Sequence, residues 1–124
     1  MPRFIARSIA LGACAAAVLA TPALAQAPNG ETLFKQQCGV CHSIAPAPGK
    51  MGPPLKGVVG RKAGTLPGYA YSGAMKAYGV TWDAGKLEAY LAKPTAAVPG
   101  TKMMIGAANP AQRSAIVAYL ATQK

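Results

Sequence analysis

Apolar positions recur at helical spacing in three stretches of the chain, and a shorter helical stretch lies between the first and the second. The first helix is predicted over about 30–37, with Asn29 as its N-cap. Its apolar face falls at Leu33, Phe34 and Cys38. The helix therefore leads directly into a segment that holds two of the three cysteines.

The short helix is predicted over 72–77 and the next long one over about 83–92. Ser72 is a suitable cap for the short helix, and Gly79 is a suitable stop. Pro94 ends the longer helix, because proline cannot continue a helical hydrogen-bond ladder. The apolar face of this longer helix consists of Leu87, Tyr90 and Leu91.

The last helix has the clearest start signal in the chain. Asn109 is the expected cap, Pro110 takes the first helical position, and Gln112 stands where a capping box would place it. The expected buried stripe comprises Ala115, Ile116, Tyr119 and Leu120. No convincing strand is present, so the predicted fold is all-α, with about three main helices, short helices and long loops.

The first 25 residues have the pattern of a secretory signal peptide. Arg3 and Arg7 precede a short apolar run, and a small-residue cleavage pattern ends at Ala25. The run is too short to span a bilayer, although an uncleaved tether and a lipoprotein-type cleavage before Cys14 are alternatives. We therefore expect one mature domain over 26–124, located in the periplasm and not inserted in the membrane.

The mature chain is strongly basic. Without Arg3 and Arg7, eleven Lys and Arg side chains face only Glu31, Asp83 and Glu88, which gives a formal charge of +8. The basic residues are scattered and form no recognition motif, so nucleic acid is not an expected partner. An acidic protein partner or a merely soluble basic surface remains.

The segment Cys38-Gly-Val-Cys41-His42 has the C-x-x-C-H form that attaches c-type haem. Two thiols at this spacing can each bond one vinyl-derived carbon of a single porphyrin, and His42 then falls under the iron as an axial ligand. A zinc site, a thiol redox pair or a 38–41 disulfide are the alternatives. Each is weaker, because His42 is the only histidine, no βαβ context is visible and the disulfide loop would be tight.

Two further segments suit a haem. Residues 43–68 contain five prolines and six glycines, so no long helix is expected there, but irregular backbone can follow the edge of a macrocycle. Pro99-Gly-Thr-Lys-Met103-Met104 offers a thioether as sixth ligand. A thioether at that position favours electron transfer at a raised potential.

These residues together resemble a class I cytochrome c of the mitochondrial type and its bacterial relatives. The resemblance covers nearly all of 28–124. It is carried by the haem motif and by a series of short motifs in the same order, namely Gly52-Pro53-Pro54-Leu55-Lys-Gly57, Gly60-Arg61, Pro67-Gly68-Tyr69-Ala-Tyr71-Ser72, Thr81-Trp82, Tyr90-Leu91-Ala-Lys-Pro94 and Pro99-Gly100-Thr101-Lys102-Met103.

The resemblance implies a role for each matching position. His42 and Met103 would ligate the iron of one covalent haem per chain, and the Pro53 carbonyl would accept the other imidazole N–H. Tyr90 would lie near the distal sulfur. Residues that would surround the propionates are Arg61, Tyr71, Ser72 and Trp82. Gly30 and Phe34 would cross Ile116 and Tyr119, where a glycine lets two helices approach closely.

The sequence also departs from the family. Met75 replaces an asparagine often found in the distal hydrogen-bond network, and Ile105 replaces a phenylalanine near the exposed haem edge. Lysines 50, 93 and 102 are expected to ring that edge, with Lys56 and Lys62 as further candidates.

The sequence thus predicts a monomeric one-electron carrier that exchanges electrons with acidic redox partners, and not an enzyme. A haem peroxidase or gas sensor would need Met103 to be absent or displaced, and no second histidine exists to assist peroxide cleavage. A third interpretation is the cytochrome subunit of a larger dehydrogenase or oxidase.

Overall fold

The computed structural model describes residues 28–124, so the expected signal peptide over 1–25 lies outside the described residues. The helices of the described part are α1 (Gly30–Gln37), α2 (Gly73–Tyr78), α3 (Ala84–Ala92), α4 (Pro94–Ala97) and α5 (Pro110–Thr122). The strand-like pairing found there is a single antiparallel bridge between Lys62 and Thr81. The predicted all-α class is confirmed.

Short polar side chains cap the four longer helices. In each case the cap oxygen accepts from a backbone N–H three residues later, at 2.8–3.0 Å. The cap residues are Asn29, Ser72, Asp83 and Asn109. The caps expected at Asn29, Ser72 and Asn109 are therefore confirmed, and Gly79 ends α2 in the left-handed conformation with φ of 55°.

The structure departs from the sequence prediction at two helix ends. Pro94 ends α3 as expected, but it also opens α4, because a proline at the first helical position has no N–H to satisfy. At the start of α5, the Gln112 side-chain oxygen accepts from Gln37 Nε2 at 2.8 Å. Gln112 therefore links α5 to the end of α1 instead of completing a capping box.

The crossing of α1 over α5 is tight. Ile116 is fully buried, and the rings of Phe34 and Tyr119 lie 5.6 Å apart between centroids. A Cβ placed on Gly30 would overlap the carbonyl oxygen of Ala115 and lie 2.9 Å from the Tyr119 Cβ. The expected role of Gly30 as a close-approach residue agrees with this geometry.

The Arg113 side chain joins α5 to α3 through an ion pair, and it joins α5 to the segment between α4 and α5 through hydrogen bonds. Arg113 Nε donates to Glu88 at 2.8 Å, and the same guanidinium donates to the carbonyls of Ala107 and Ala108 at 3.0 and 3.2 Å. Only about a sixth of the Arg113 side chain is exposed. The pair thus fixes the downstream end of the segment that carries Met103.

The long loop before α2 is held by backbone pairing to distant segments. Gly60 N–H donates to Trp82 at 2.7 Å, Trp82 N–H donates to Arg61 at 2.9 Å, and Ala63 N–H donates to Val80 at 2.7 Å. The irregular stretch is therefore ordered although it contains no helix. Within residues 28–124, no helix combines the length and apolar character needed to cross a membrane.

Candidate cofactor site

A cavity of about 880 Å³, part of it open to solvent, lies between the helices and the long loop. The candidate residues that line it are Cys38, His42, Pro53, Arg61, Tyr71, Ser72, Trp82, Tyr90 and Met103. Cys41 is not among the lining residues; it is half-buried and directly precedes His42.

Pro53 and Gly52 fix the imidazole of His42. His42 Nδ1 lies 2.8 Å from the Pro53 carbonyl oxygen, so this nitrogen is a donor and Nε2 is free to act as a ligand. The contact expected from the sequence is present. A Cβ on Gly52 would overlap the ring and lie 2.6 Å from Nδ1, so only glycine leaves room for the imidazole there.

The turn over 38–42 carries both cysteines, of which Cys38 lines the cavity. The backbone N–H groups of Cys41 and His42 donate to the Cys38 carbonyl at 3.1 and 2.8 Å, and Gly52 N–H donates to the Cys41 carbonyl at 2.8 Å. Both cysteines are unbonded and half-buried. Burial, with a smaller contribution from Cys41, raises the pKa of the Cys38 thiol, so the thiol is protonated at neutral pH.

Met103 and Met104 point to different environments. Met103 is partly buried and lines the cavity, whereas Met104 is 73% exposed. The backbone N–H of Met103 lies 3.4 Å from the Thr101 hydroxyl, which itself pairs with the Tyr90 hydroxyl at 2.7 Å. The cavity therefore receives one of the two neighbouring thioethers.

Tyr90 is a buried phenol in the wall of this cavity. Burial raises its pKa, and the hydrogen bond with Thr101 opposes this shift only in part. Its ring packs against Trp82 at 5.2 Å between centroids. Thr101 is not among the predicted site residues, although it belongs to the Pro99–Met103 motif that carries the family resemblance.

Arg61 and Ser72 line the cavity but already have protein partners. The Arg61 guanidinium donates to the carbonyls of Pro54 and Lys56 at 3.2 and 3.3 Å. The Ser72 hydroxyl accepts from the Met75 N–H at 3.0 Å as the cap of α2, and its own proton is available for a further bond. These side chains are therefore held in place before any cofactor group reaches them.

Several cavity residues were expected only as core. The apolar faces of α3 and α5 line it through Leu87, Leu91, Ile116 and Leu120, with Met75 of α2 nearby in the wall. Helical periodicity identifies these positions as buried but cannot tell whether they meet another side chain or a cofactor. Met75, where the sequence departs from the family, contributes a thioether to this wall, and the residue is 9% exposed.

Two of the three lysines expected around the haem edge are bound to backbone carbonyls. Lys50 Nζ donates to the Gly39 oxygen, and Lys102 Nζ donates to the Ala70 oxygen, each at 2.5 Å. Lys93 is exposed. The three ammonium groups are therefore not equivalent as docking charges.

The donor set fits a haem. The imidazole of His42 and the thioethers of Met75 and Met103 line the same predominantly apolar cavity, and so does Cys38, one of the two unbonded thiols in the attachment spacing. His42 is oriented with one nitrogen free. These residues would hold a haem through two thioether bonds and two neutral axial ligands.

Comparison with known proteins agrees with this fit. Residues 27–124 match the family described as Cytochrome c. The chain is 51% identical over 98 residues to cytochrome c2 of Rhodomicrobium vannielii, with 77% of each chain covered. It is 44% identical over 117 residues to cytochrome c2 of Blastochloris viridis, covering 92% of this chain and 91% of the relative. The solved structure of cytochrome cH from Methylobacterium extorquens superposes with a TM-score of 0.68 at 46% identity, covering 75% of this chain and 94% of that one.

Proposed function

The chain belongs to the class I cytochrome c family and is an electron carrier with a covalent c-type haem, and we propose that His42 and Met103 are the two axial ligands of its iron. The haem, when bound, supplies one-electron exchange between its ferric and ferrous forms. The side chains of this chain supply ligation, orientation and exclusion of water.

The observation that carries the proposal is the asymmetry between the two methionines. Met103 lines the same cavity as His42, while Met104 is 73% exposed to solvent. The imidazole and the thioether are both neutral, so in a buried site they would favour the less charged ferrous state of the haem and a raised potential. The hydrogen bond from His42 to Pro53 opposes this effect in part, because it makes the imidazole a stronger donor.

Replacing each methionine in turn tests this ligand assignment. In the oxidised holoprotein, Met103→Ala should abolish the weak red-region absorption band of sulfur–iron charge transfer and lower the potential. Met104→Ala is the matched control and should leave both unchanged. The reverse pattern would show that Met104 is the ligand.

Cys38 and Cys41 are the proposed attachment points. Each thiol would add its S–H across one vinyl double bond, which forms a C–S bond without net oxidation. Mass spectrometry after denaturation in acidified organic solvent should show one haem retained by the wild type. Each of the single variants Cys38→Ala and Cys41→Ala should lack one of the two carbon–sulfur bonds. Haem that is extractable from the wild type would contradict this assignment.

We further propose that the mature chain is a periplasmic monomer that meets acidic redox partners. The export pattern over 1–25 and the formal charge of +8 for 26–124 support this proposal. Opposite charges on two proteins accelerate their encounter and make it sensitive to salt. Fractionation of cells and gel filtration of the periplasmic extract test it. Retention in the membrane fraction would indicate a tether, and co-elution with a large subunit would indicate a component of a complex.

A further inference from the structure

The large apolar side chains that are exposed within residues 28–124 lie beside residues of the cofactor site. They are Val40, Met51, Met104 and Ile105, at 73% to 79% exposure. Val40 stands between the two attachment cysteines, and Met104 directly follows Met103. Single exposed apolar side chains are ordinary, whereas a group of them beside a functional site indicates an interaction surface. Two members of this group are thioethers, which carry a chemistry that aliphatic side chains lack.

Backbone pairing holds Met51 beside the turn that carries the attachment cysteines. Lys50 Nζ donates to the Gly39 carbonyl, and Gly52 N–H donates to the Cys41 carbonyl at 2.8 Å. Met51 lies between these two contacts, so its backbone is fixed on both sides while its thioether is exposed.

Met104 is the exposed member of the two neighbouring methionines. Its partner Met103 is partly buried and lines the cavity. Downstream, the segment returns to the core at Ala107, whose N–H donates to the Leu91 carbonyl at 2.7 Å. The remaining methionine within residues 28–124, Met75, is buried. This part of the chain therefore presents two thioethers to solvent and withholds two.

Hydrogen peroxide distinguishes these two classes of methionine. The sulfur takes one oxygen to form an S–O bond, the O–O bond breaks and the other oxygen leaves as water, so the sulfur loses the two electrons that the peroxide gains. The sulfur must be accessible to the oxidant. Met51 and Met104 meet this condition, and Met75 is shielded by burial. Met103 is shielded by partial burial and by the proposed bond to iron.

We propose that Met51 and Met104 are peroxide-modified sites, whose oxidation to sulfoxide slows electron exchange with an acidic protein partner while the iron ligands stay in place. This inference rests on the proposed function, because it takes such a partner to meet the surface beside the site. Lys50 and Lys102 lie within two residues of these methionines and supply complementary charge. A sulfoxide is polar where the thioether was apolar, so oxidation removes an apolar contact, and enzymatic reduction restores it.

Peptide mapping after limited treatment of the oxidised holoprotein with hydrogen peroxide tests the modification. Tryptic cleavage after Lys50 and Lys102 places Met51 and Met104 on separate peptides, and fragment spectra distinguish Met104 from Met103. Met51 and Met104 should gain the mass of one oxygen atom before Met103 does, and the sulfur–iron band should persist. Oxidation of Met103 before either exposed methionine would overturn the inference.

Stopped-flow reduction by flavodoxin hydroquinone, a small acidic flavoprotein donor, tests the consequence after the peroxide has been removed. Oxidation of the two methionines should lower the rate constant on the order of threefold, as expected for the loss of one apolar contact. A sulfoxide carries no net charge, so the slope of the rate against salt should not change. Methionine sulfoxide reductases for both sulfoxide epimers should restore the rate.

Two variants and one control separate the thioethers from other targets of peroxide. The double variant Met51→Leu/Met104→Leu keeps apolar side chains that cannot form a sulfoxide, so its rate should not change after peroxide treatment. Met104→Gln places a neutral polar group at the site and should slow exchange without peroxide. Ala118→Gln adds the same group at an exposed position of α5 and should leave the rate unchanged.

The outcomes separate this inference from the function on which it rests. A wild type with no sulfur–iron band before peroxide overturns the proposed ligation, and the inference with it. A wild type with the band, together with equal peroxide sensitivity in the double leucine variant, overturns the inference alone. A loss of rate that follows oxidation of Met51 and Met104, is absent from the leucine variant and is reversed by the reductases supports it.

Discussion

Substitution of Gly30 by alanine should measure the close approach of α1 and α5. The added Cβ would overlap the Ala115 carbonyl oxygen and lie 2.9 Å from both the Ala115 carbonyl carbon and the Tyr119 Cβ. Two of these three atoms belong to the backbone of α5, so neither can rotate away and the helices must separate. Overpacking of this kind costs about 1–3 kcal/mol, and a contact with backbone belongs in the upper half of that range.

Alanine also has a better helix propensity than glycine, and this gain of about 0.5–1 kcal/mol offsets part of the cost. The expected net loss for Gly30→Ala is therefore about 2 kcal/mol in the free energy of unfolding. For a domain of this size the midpoint temperature should fall by about 8–16 °C.

Gly73→Ala is a closely matched control. Gly73 is also the first residue of its helix and also follows a polar cap, but a Cβ there would meet no atom within 4 Å. This variant should be stabilised by about 0.4–1 kcal/mol through the entropy of the unfolded chain. Thermal unfolding of the two holoproteins, followed by circular dichroism, gives the comparison. Equal shifts for the two variants, or a stabilised Gly30→Ala, would refute the steric argument.

Three further predictions follow from the site and the surface. Gly52→Ala should push the His42 ring away from its carbonyl partner and shift the hyperfine resonances of the imidazole in the NMR spectrum; unchanged resonances would contradict the contact. Because burial raises the pKa of Tyr90, the unfolded phenol should ionise first as the pH rises past about 10, and the folded state should lose stability until the folded pKa is passed. Denaturant unfolding across that pH range should show a smaller loss of unfolding free energy for Tyr90→Phe than for the wild type. Equal losses in the two proteins would show that Tyr90 is not the group responsible. Lys93→Glu should slow electron exchange with an acidic partner more than Lys124→Glu does, and the difference should shrink as salt rises; stopped-flow rates that do not depend on either residue or on salt would make the basic surface a solubility feature.

Local signals in the sequence account for most of the helices. Asn29 and Asn109 are caps whose oxygens meet a backbone N–H three residues later, and this geometry depends only on the residues of one turn. The apolar face of α3 was predicted for the same reason, since Leu87, Tyr90 and Leu91 follow the helical period and are buried. The attachment motif is equally local, because two thiols and an imidazole within five residues already define its chemistry.

Contacts between distant segments could not be predicted in the same way. Pro94 both ends α3 and opens α4. From the sequence, Pro94 indicates the end of one helix more strongly than the beginning of another. Gln112 has the right residue type and spacing for a capping box. Its side-chain oxygen instead accepts a hydrogen bond from Gln37, which lies 75 residues away in the sequence. In both cases the residue type indicated a local role, and the tertiary structure added or substituted another.

The contacts of the lysines also could not be predicted from the sequence, and these contacts bear on function. From the sequence, Lys50, Lys93 and Lys102 are three similar cations, since a scattered charge carries no information about its partner. In the folded chain, Lys50 and Lys102 donate to carbonyls in two segments that adjoin the cavity, Gly39 beside the attachment cysteines and Ala70 beside Tyr71. Substituting either lysine would change a contact close in sequence to His42 or Met103 together with the surface charge, so a slower electron exchange could arise from either cause. Lys93 is exposed and separates the two effects, which makes it the better test of electrostatic docking.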